Sequence, residues 1–218
     1  MNLLSNEWTA ARDERAAAFA VQVLREANAR LALSFPYLSS SFRHLNCADS
    51  KTLLPDGRGD RPVAFGTDSQ RLYYDPWYVL SVYKEEEGAL ARDYLHVLLH
   101  CLFRHFQSDE RKKLSINRPV WDLSCDIAVE ALIRQLPPAF LHTKREEAQE
   151  AMIQLLGKEI GEPLTAERIY GFLKGKEISE EEVIEERKHF AADQHKLWYY
   201  DARGQLLLLP EDETDWRE

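Results

Sequence analysis

The sequence has few cysteines and no excess of basic residues, and each shortage excludes a class of protein. Only three cysteines, Cys47, Cys101 and Cys125, occur in 218 residues, and none belongs to a CxxC pair. An odd number of widely spaced cysteines predicts reduced thiols and argues against a disulfide framework. The 28 Lys and Arg against 37 Asp and Glu give a net charge of −9. This balance argues against nucleic-acid and anionic-membrane binding, because both need a basic surface.

Long apolar runs are also missing from the chain. Its uninterrupted apolar runs, such as 206–209, fall far short of the ~18 apolar residues of a membrane-spanning helix. The first residues, MNLLSNEWTAARDER, become charged early and show no apolar stretch followed by a small-residue cleavage site. We therefore expect a cytoplasmic protein with no signal peptide and no membrane segment.

What the chain does have is the composition of a globular domain, with 44% hydrophobic and 30% charged residues. At ~150 residues per domain, this length predicts one domain over residues 1–218. The negative charge is concentrated near the end, since residues 1–142 carry a net charge of −1 and residues 143–218 a net charge of −8. We expect residues 143–218 to form an acidic helical annex that ends in a hairpin within LWYYDARGQLLLLP.

Hydrophobic periodicity and turn signals predict the α+β class, mostly α, with one small β-hairpin sheet. The hairpin turns at 67–69, because aromatic and β-branched residues flank that segment on both sides. A loop is expected over about 39–61, including the Arg-Gly-Asp sequence at 58–60. The predicted helices cover 6–33 with Asn6 as N-cap, about 76–83, 89–106 and 119–135, and a last helix that begins at the capping box of Ser179 and Glu182.

Two histidines lie four residues apart in the predicted helix 89–106. At about 100° per residue, His96 and His100 project from nearly the same face, one turn apart. Two imidazoles in this arrangement can share one tetrahedral Zn²⁺, as in the H-E-x-x-H helix. The alternative is a pair of hydrogen-bonded histidines in an apolar helix, because this spacing is common by chance. His105 comes nine residues after His96, so it faces away unless the helix ends before it.

The predicted helix 119–135 carries three carboxylates at i, i+4 and i+8, namely Asp122, Asp126 and Glu130. Apolar residues surround this stripe, and buried carboxylates need a partner or a metal. If the two helices cross, the stripe meets His96 and His100, and two histidines with one carboxylate form a known catalytic zinc set. The alternative is a stripe that is solvated or paired with arginines.

These motifs carry a resemblance to a known family. H-V-L-L-H-C-L-F-R-H (96–105) followed by W-D-L-S-C-D-I-A-V-E (121–130) resembles the bacterial putative metallopeptidase domain that usually precedes a VWA-like domain. That family is typified by H-E-x-L-H-x-x-x-x-H and then W-N-x-A-x-D-x-x-x-N. The segment 63–79 is similar to its T-D-G-x-x-x-Y-Y-N-P-x-x-V hairpin, and 193–198 is similar to its D-x-H-x-x-W segment. The ordered match covers about 35–198.

The resemblance implies a zincin-like domain with Zn²⁺ bound by His96, His100 and Asp126. His105 and Asp122 are then outer-sphere partners or alternative ligands. The hairpin is expected to border the cleft, where an extended peptide of a substrate or partner protein pairs as an added strand. The resemblance also implies a setting beside MoxR-type AAA+ ATPases and a VWA-domain protein. The family's Asp-x-Ser-x-Ser loop does not occur in the sequence, so we expect no VWA-like domain in this chain.

One departure from the family pattern affects catalysis directly. Val97 stands where the family has the Glu of H-E-x-x-H, and that Glu takes a proton from the zinc-bound water. Asp93, three residues before His96, and Glu130 on the acidic stripe are the candidates for a substitute base. The sequence therefore supports two readings: a weakened or inactive metallopeptidase, or a noncatalytic peptide- or protein-binding module on the same scaffold.

Overall fold

Helices make up most of the chain in a computed structural model that describes residues 3–54, 62–86, 88–107 and 116–200. The α-helices, in chain order, are α1 (Leu3–Ser34), α2 (Ser39–His44), α3 (Pro76–Glu85), α4 (Ala89–Phe103), α5 (Arg118–Ile133), α6 (Arg145–Ile160), α7 (Ala166–Gly175), α8 (Glu180–Phe190) and α9 (Lys196–Tyr199). The strands are β1 (Asn46–Asp49), β2 (Phe65–Thr67) and β3 (Arg71–Tyr74). The predicted class, α+β and mostly α, is confirmed.

The three strands form one mixed sheet in the order β1-β3-β2. β2 and β3 are antiparallel with Phe65 opposite Tyr74, so the predicted hairpin is confirmed. The Thr67 hydroxyl accepts a hydrogen bond from the N–H of Ser69, which holds the turn closed. β1 pairs in parallel with β3 and places Asn46 opposite Arg71.

Two sequence predictions about the loop and the first helix are wrong. The expected loop over 39–61 contains α2 and β1, while its Arg-Gly-Asp sequence lies outside the described residues. The first helix begins at Leu3, so Asn6 lies inside α1 and is not its N-cap. Short elements of this kind depend on long-range pairing, which local patterns do not reveal.

The C-terminal third agrees with the prediction in part. α8 begins at the predicted capping box, in which Ser179 and Glu182 each accept a hydrogen bond from the other's backbone N–H. The hairpin expected in LWYYDARGQLLLLP is wrong at residues 197–199, which belong to the short helix α9. Residues 201–218 lie outside the described part of the chain.

Helices α4 and α5 lie between two apolar clusters, and this position determines their burial. One cluster joins α4 to α1, α3 and the sheet, and the other joins α5 to α7, α8 and α9. Every residue from Ala89 to His100 is buried, as is every residue from Val120 to Ala131. Polar side chains on these two helices are therefore removed from water and need partners within the protein. Within the described ranges, no helix combines the length and apolarity needed to cross a membrane.

Candidate metal centre

His96 and His100 of α4 converge on one point between the helices. Both side chains are fully buried, and their Nε2 atoms lie 2.8 Å apart. Burial lowers the pKa of both rings, but hydrogen bonding to Asp126 and Glu130 outweighs burial at His96 and raises its pKa to about 9. At His100, burial and the neighbouring His96 lower the pKa to about 4. The two nitrogens lie within hydrogen-bond distance and face the same point from consecutive turns of α4, as the four-residue spacing predicts.

Asp126 of α5 faces both histidines, as the i, i+4, i+8 stripe suggested. Its Oδ1 atom lies 3.3 Å from Nε2 of His96 and 3.3 Å from Nε2 of His100. Its Oδ2 atom is buried and has no hydrogen-bond partner among the described residues. Burial acts to raise the pKa of this carboxyl, but His195, together with His100 and His96, holds it well below the usual range. Asp126 is therefore a buried carboxylate with one oxygen free for a further ligand.

Asp193, which lies between α8 and α9, completes the cluster and was not among the predicted site residues. Its Oδ1 atom lies 3.6 Å from Nε2 of His96 and 3.9 Å from Nε2 of His100. Its Oδ2 atom is also buried without a hydrogen-bond partner in the described part of the chain. One ligand atom from each of His96, His100, Asp126 and Asp193 lies within 4.8 Å of all the others. The only signal in the sequence was the D-x-H-x-x-W resemblance at 193–198.

His195 packs against the two carboxylates from the same segment. Its Nε2 atom lies 3.1 Å from Oδ1 of Asp126 and 3.1 Å from Oδ1 of Asp193. Its ring stacks on Trp198 with the centroids 3.5 Å apart. Burial acts to lower the pKa of His195, but the surrounding carboxylates raise it well above the usual value. His195 thus supplies positive charge beside the acidic side of the centre.

Glu130 binds the outer nitrogen of His96. Its Oε1 atom accepts from Nδ1 of His96 at 2.7 Å, and its Oε2 atom accepts from Nε and Nη2 of Arg92 at 2.9 and 2.6 Å. The Gln149 amide also donates to Oε2, at 2.9 Å. Burial acts to raise the pKa of Glu130, but His96 and Arg92 lower it to about 2. This geometry is that of a carboxylate that orients a ligating histidine.

Asp93 of α4 pairs with Arg145 of α6, whose Nη1 atom also lies 3.8 Å from Oε1 of Glu130. Oδ1 of Asp93 is 2.9 Å from Nη2 of Arg145. Burial raises the pKa of Asp93 to about 6, although Arg145 acts in the opposite direction. The catalytic roles suggested for Asp93 and Glu130 stay predictions, and the structure gives each carboxylate a partner that it would have to leave.

His105 and Asp122, predicted as outer partners or alternative ligands, both lie at the edge of the centre. α4 ends at Phe103, and Arg104 adopts the left-handed conformation with φ 57°. The chain therefore turns back and brings Nδ1 of His105 within 2.8 Å of Nδ1 of His100. Asp122 accepts a hydrogen bond from the Tyr199 hydroxyl at 2.6 Å. His105 thus contacts one of the converging histidines directly, whereas Asp122 reaches the centre through His195, whose Nδ1 atom lies 3.4 Å from Oδ1 of Asp122.

Val97 occupies the position that the family resemblance gives to the catalytic glutamate. Its side chain is fully buried and packs in the apolar cluster that joins α4 to α1, α3 and the sheet. A valine neither accepts nor donates a proton. α4 thus supplies two histidines that could bind a metal, but no proton acceptor at position 97.

The donor set at the centre fits a divalent metal ion. Two imidazole nitrogens and two carboxylates form a set that Zn²⁺ accepts, and imidazole favours transition metals over Ca²⁺ or Mg²⁺. Two buried carboxylate oxygens without hydrogen-bond partners, on Asp126 and Asp193, are costly unless a cation satisfies them. The outer nitrogen of each histidine is already bound, by Glu130 and by His105. His96, His100, Asp126 and Asp193 are thus the residues that would hold the ion.

Comparison with known proteins gives one match. The sequence model of the family described as "Putative metallopeptidase domain" matches residues 21–203. This range contains all four converging residues, His195 and the hairpin. No curated protein and no solved structure matches the chain.

Proposed function

The chain belongs to the putative metallopeptidase domain family, and we propose that it is a zinc-binding domain that hydrolyses peptides weakly or not at all. The observation that carries this proposal is the buried convergence of His96, His100, Asp126 and Asp193. Two carboxylates and two imidazoles with no access to water are stabilised by a cation and costly without one. Zn²⁺ is the first candidate among divalent ions because half of the donors are imidazole nitrogens.

Weak hydrolysis follows from what surrounds the ligands. Zn²⁺ bound here would supply a Lewis acid that lowers the pKa of bound water, but a peptidase also needs a group that accepts a proton from that water. Val97 offers none, Glu130 is bound by His96 and Arg92, and Asp93 is paired with Arg145. The lack of a general base typically costs about 10²–10⁴-fold in rate. Asp193 also supplies a fourth protein ligand, and closed four-ligand sites are typical of structural metals.

The alternative function is noncatalytic peptide or protein binding on the same scaffold, together with a MoxR-type AAA+ ATPase or a VWA-domain protein. Val97 favours it, because a domain that only binds a partner does not need the glutamate. With this function, the metal centre stabilises the fold, and the surface around it binds the peptide or partner protein. The ATPase and VWA partners are implied by the family resemblance alone, so their binding requires a direct test.

A hydrolysis assay separates the enzyme from the noncatalytic domain. The zinc-loaded protein is incubated with casein and with fluorescence-quenched peptides, beside the same protein after chelation. We expect the rate of the zinc-loaded sample to be at or close to the background rate of the chelated sample. A zinc-dependent rate that falls in Asp93→Asn or Glu130→Gln would instead show an active peptidase that uses the corresponding carboxylate as its base.

A further inference from the structure

The segment that delivers Asp193 is bound to the sheet through the next residue. The backbone N–H of Gln194 donates to the carbonyl of Phe65 at 2.8 Å. The Gln194 side chain Oε1 accepts from the N–H of Ala64 at 2.7 Å. Because β2 pairs with β3 on its other side, these two bonds attach Gln194 to the outer edge of β2. The chain itself thus occupies the outer edge of β2.

Gly66 makes this close attachment sterically feasible. A Cβ atom built at Gly66 would lie 2.5 Å from the carbonyl oxygen of Gln194 and 3.0 Å from a methyl carbon of Val63. The first of these contacts is with backbone, which cannot rotate away as the end of a side chain can. A residue larger than glycine at position 66 therefore forces Gln194 away from β2.

Alternate residues of this segment face opposite directions. Gln194 is exposed and lies at the sheet edge, whereas Asp193 and His195 are buried and face the metal centre. The contact of Gln194 with β2 therefore determines how far Asp193 reaches toward His96 and His100.

We propose that Gly66 and Gln194 are positioning residues of the metal centre, because their contact holds Asp193 in place as a ligand. This inference rests on the proposed zinc site and adds a coupling to it. Zinc bound through Asp193 would stabilise the attachment of this segment to β2. The attachment would strengthen zinc binding by the same free energy. Zinc binding and the attachment of residues 191–195 to β2 thus stabilise each other.

The first test compares Gly66→Ala with Gly171→Ala. Gly171 lies in α7, and a Cβ atom there meets nothing within 4 Å, so this variant controls for the substitution itself. Zinc affinity is measured by competition with a chromophoric chelator. We expect Gly66→Ala to bind zinc about 10–100-fold more weakly, the range seen when support for a metal ligand is lost, and Gly171→Ala to match the wild type.

Gln194→Ala is a milder variant for the case in which Gly66→Ala does not fold. It removes only the side-chain bond to Ala64, and we expect a smaller loss of zinc affinity in the same direction. Hydrogen exchange at the Gln194 amide gives a readout in the wild type itself, since this N–H binds the Phe65 carbonyl. We expect exchange to slow when zinc is added.

The outcomes distinguish the inference from the function on which it rests. A wild-type chain that binds no zinc contradicts the proposed function and the coupling together. A wild type that binds zinc, with unchanged affinity in Gly66→Ala and Gln194→Ala and metal-independent exchange at Gln194, overturns the coupling alone.

Discussion

Nδ1 of His96 lies 2.7 Å from Oε1 of Glu130, on the side of the ring opposite to the converging ligand atoms. Because the carboxylate is ionised, it accepts a hydrogen bond from the N–H at Nδ1, so Nε2 is the ring nitrogen that a metal can bind. That atom faces His100 at 2.8 Å and Asp126 at 3.3 Å. Arg92, bound to the other oxygen of Glu130, keeps the carboxylate ionised. A helix-to-helix contact thus fixes the tautomer that a metal needs.

We expect Glu130→Gln to weaken zinc binding by about 10–100-fold, the usual effect of losing a carboxylate behind a ligating histidine. The amide lacks the charge that favours a proton on Nδ1 of His96. Competition with a chromophoric chelator measures the change. Glu147→Gln, an exposed position on α6, is the control. Equal affinity in Glu130→Gln and the wild type would show that Glu130 does not orient His96.

Removal of Arg145 tests the ion pair with Asp93. Asp93 is fully buried and Arg145 only partly, with 24% of its side chain exposed. Arg145→Met leaves the carboxylate without its cation, so we expect a loss of about 3 kcal/mol in the free energy of unfolding, the lower end for a broken buried pair. Urea denaturation measures it, with the exposed Arg25→Met as control.

The double variant Asp93→Asn/Arg145→Met completes this cycle. It removes the buried charge as well, so we expect it to be more stable than Arg145→Met alone. Additive effects of the two single substitutions would mean that the pair contributes no coupling energy.

Ser179→Ala removes the side-chain half of the capping box at the start of α8. The Ser179 hydroxyl accepts from the N–H of Glu182, and loss of such a cap costs about 1 kcal/mol. We expect a lower melting temperature in calorimetry and an unchanged zinc affinity, because the cap lies at the end of α8 remote from Asp193. Ser81→Ala, an exposed serine within α3, should be close to neutral. A large loss of zinc affinity in Ser179→Ala would mean that α8 folds together with the metal centre.

Strong local signals predicted much of the fold. The hairpin turn at Thr67-Asp68-Ser69 and the capping box at Ser179 both rest on contacts within a few residues, and both are confirmed. β1 was missed because its Asn46-Cys47-Ala48-Asp49 sequence has little β-propensity, and only parallel pairing with β3 makes it a strand. Residues 197–199, where the C-terminal hairpin was expected to begin, are helical instead.

In the candidate site, too, the sequence predicted the residues placed by helical spacing and missed a residue that lies outside the helices. Helical spacing predicted that His96 and His100 share a face, and helix crossing predicted that Asp126 meets them. Asp193 was not identified as a candidate because it lies on a nonhelical segment, where no periodicity tells which way a side chain points. The early end of α4 at Phe103, three residues before its predicted end, is what turns His105 toward His100.

The metal content of the chain tests the central claim most directly. Protein purified without chelator and without a histidine tag is analysed for its elements, beside His96→Ala/His100→Ala. The control His44→Ala/His142→Ala replaces two exposed histidines. We predict about one zinc per chain in the wild type and the control, as for a single four-ligand site, and none in the variant of His96 and His100. A wild type that holds no zinc even after zinc is added back, or a His96/His100 variant that retains it, would contradict the account.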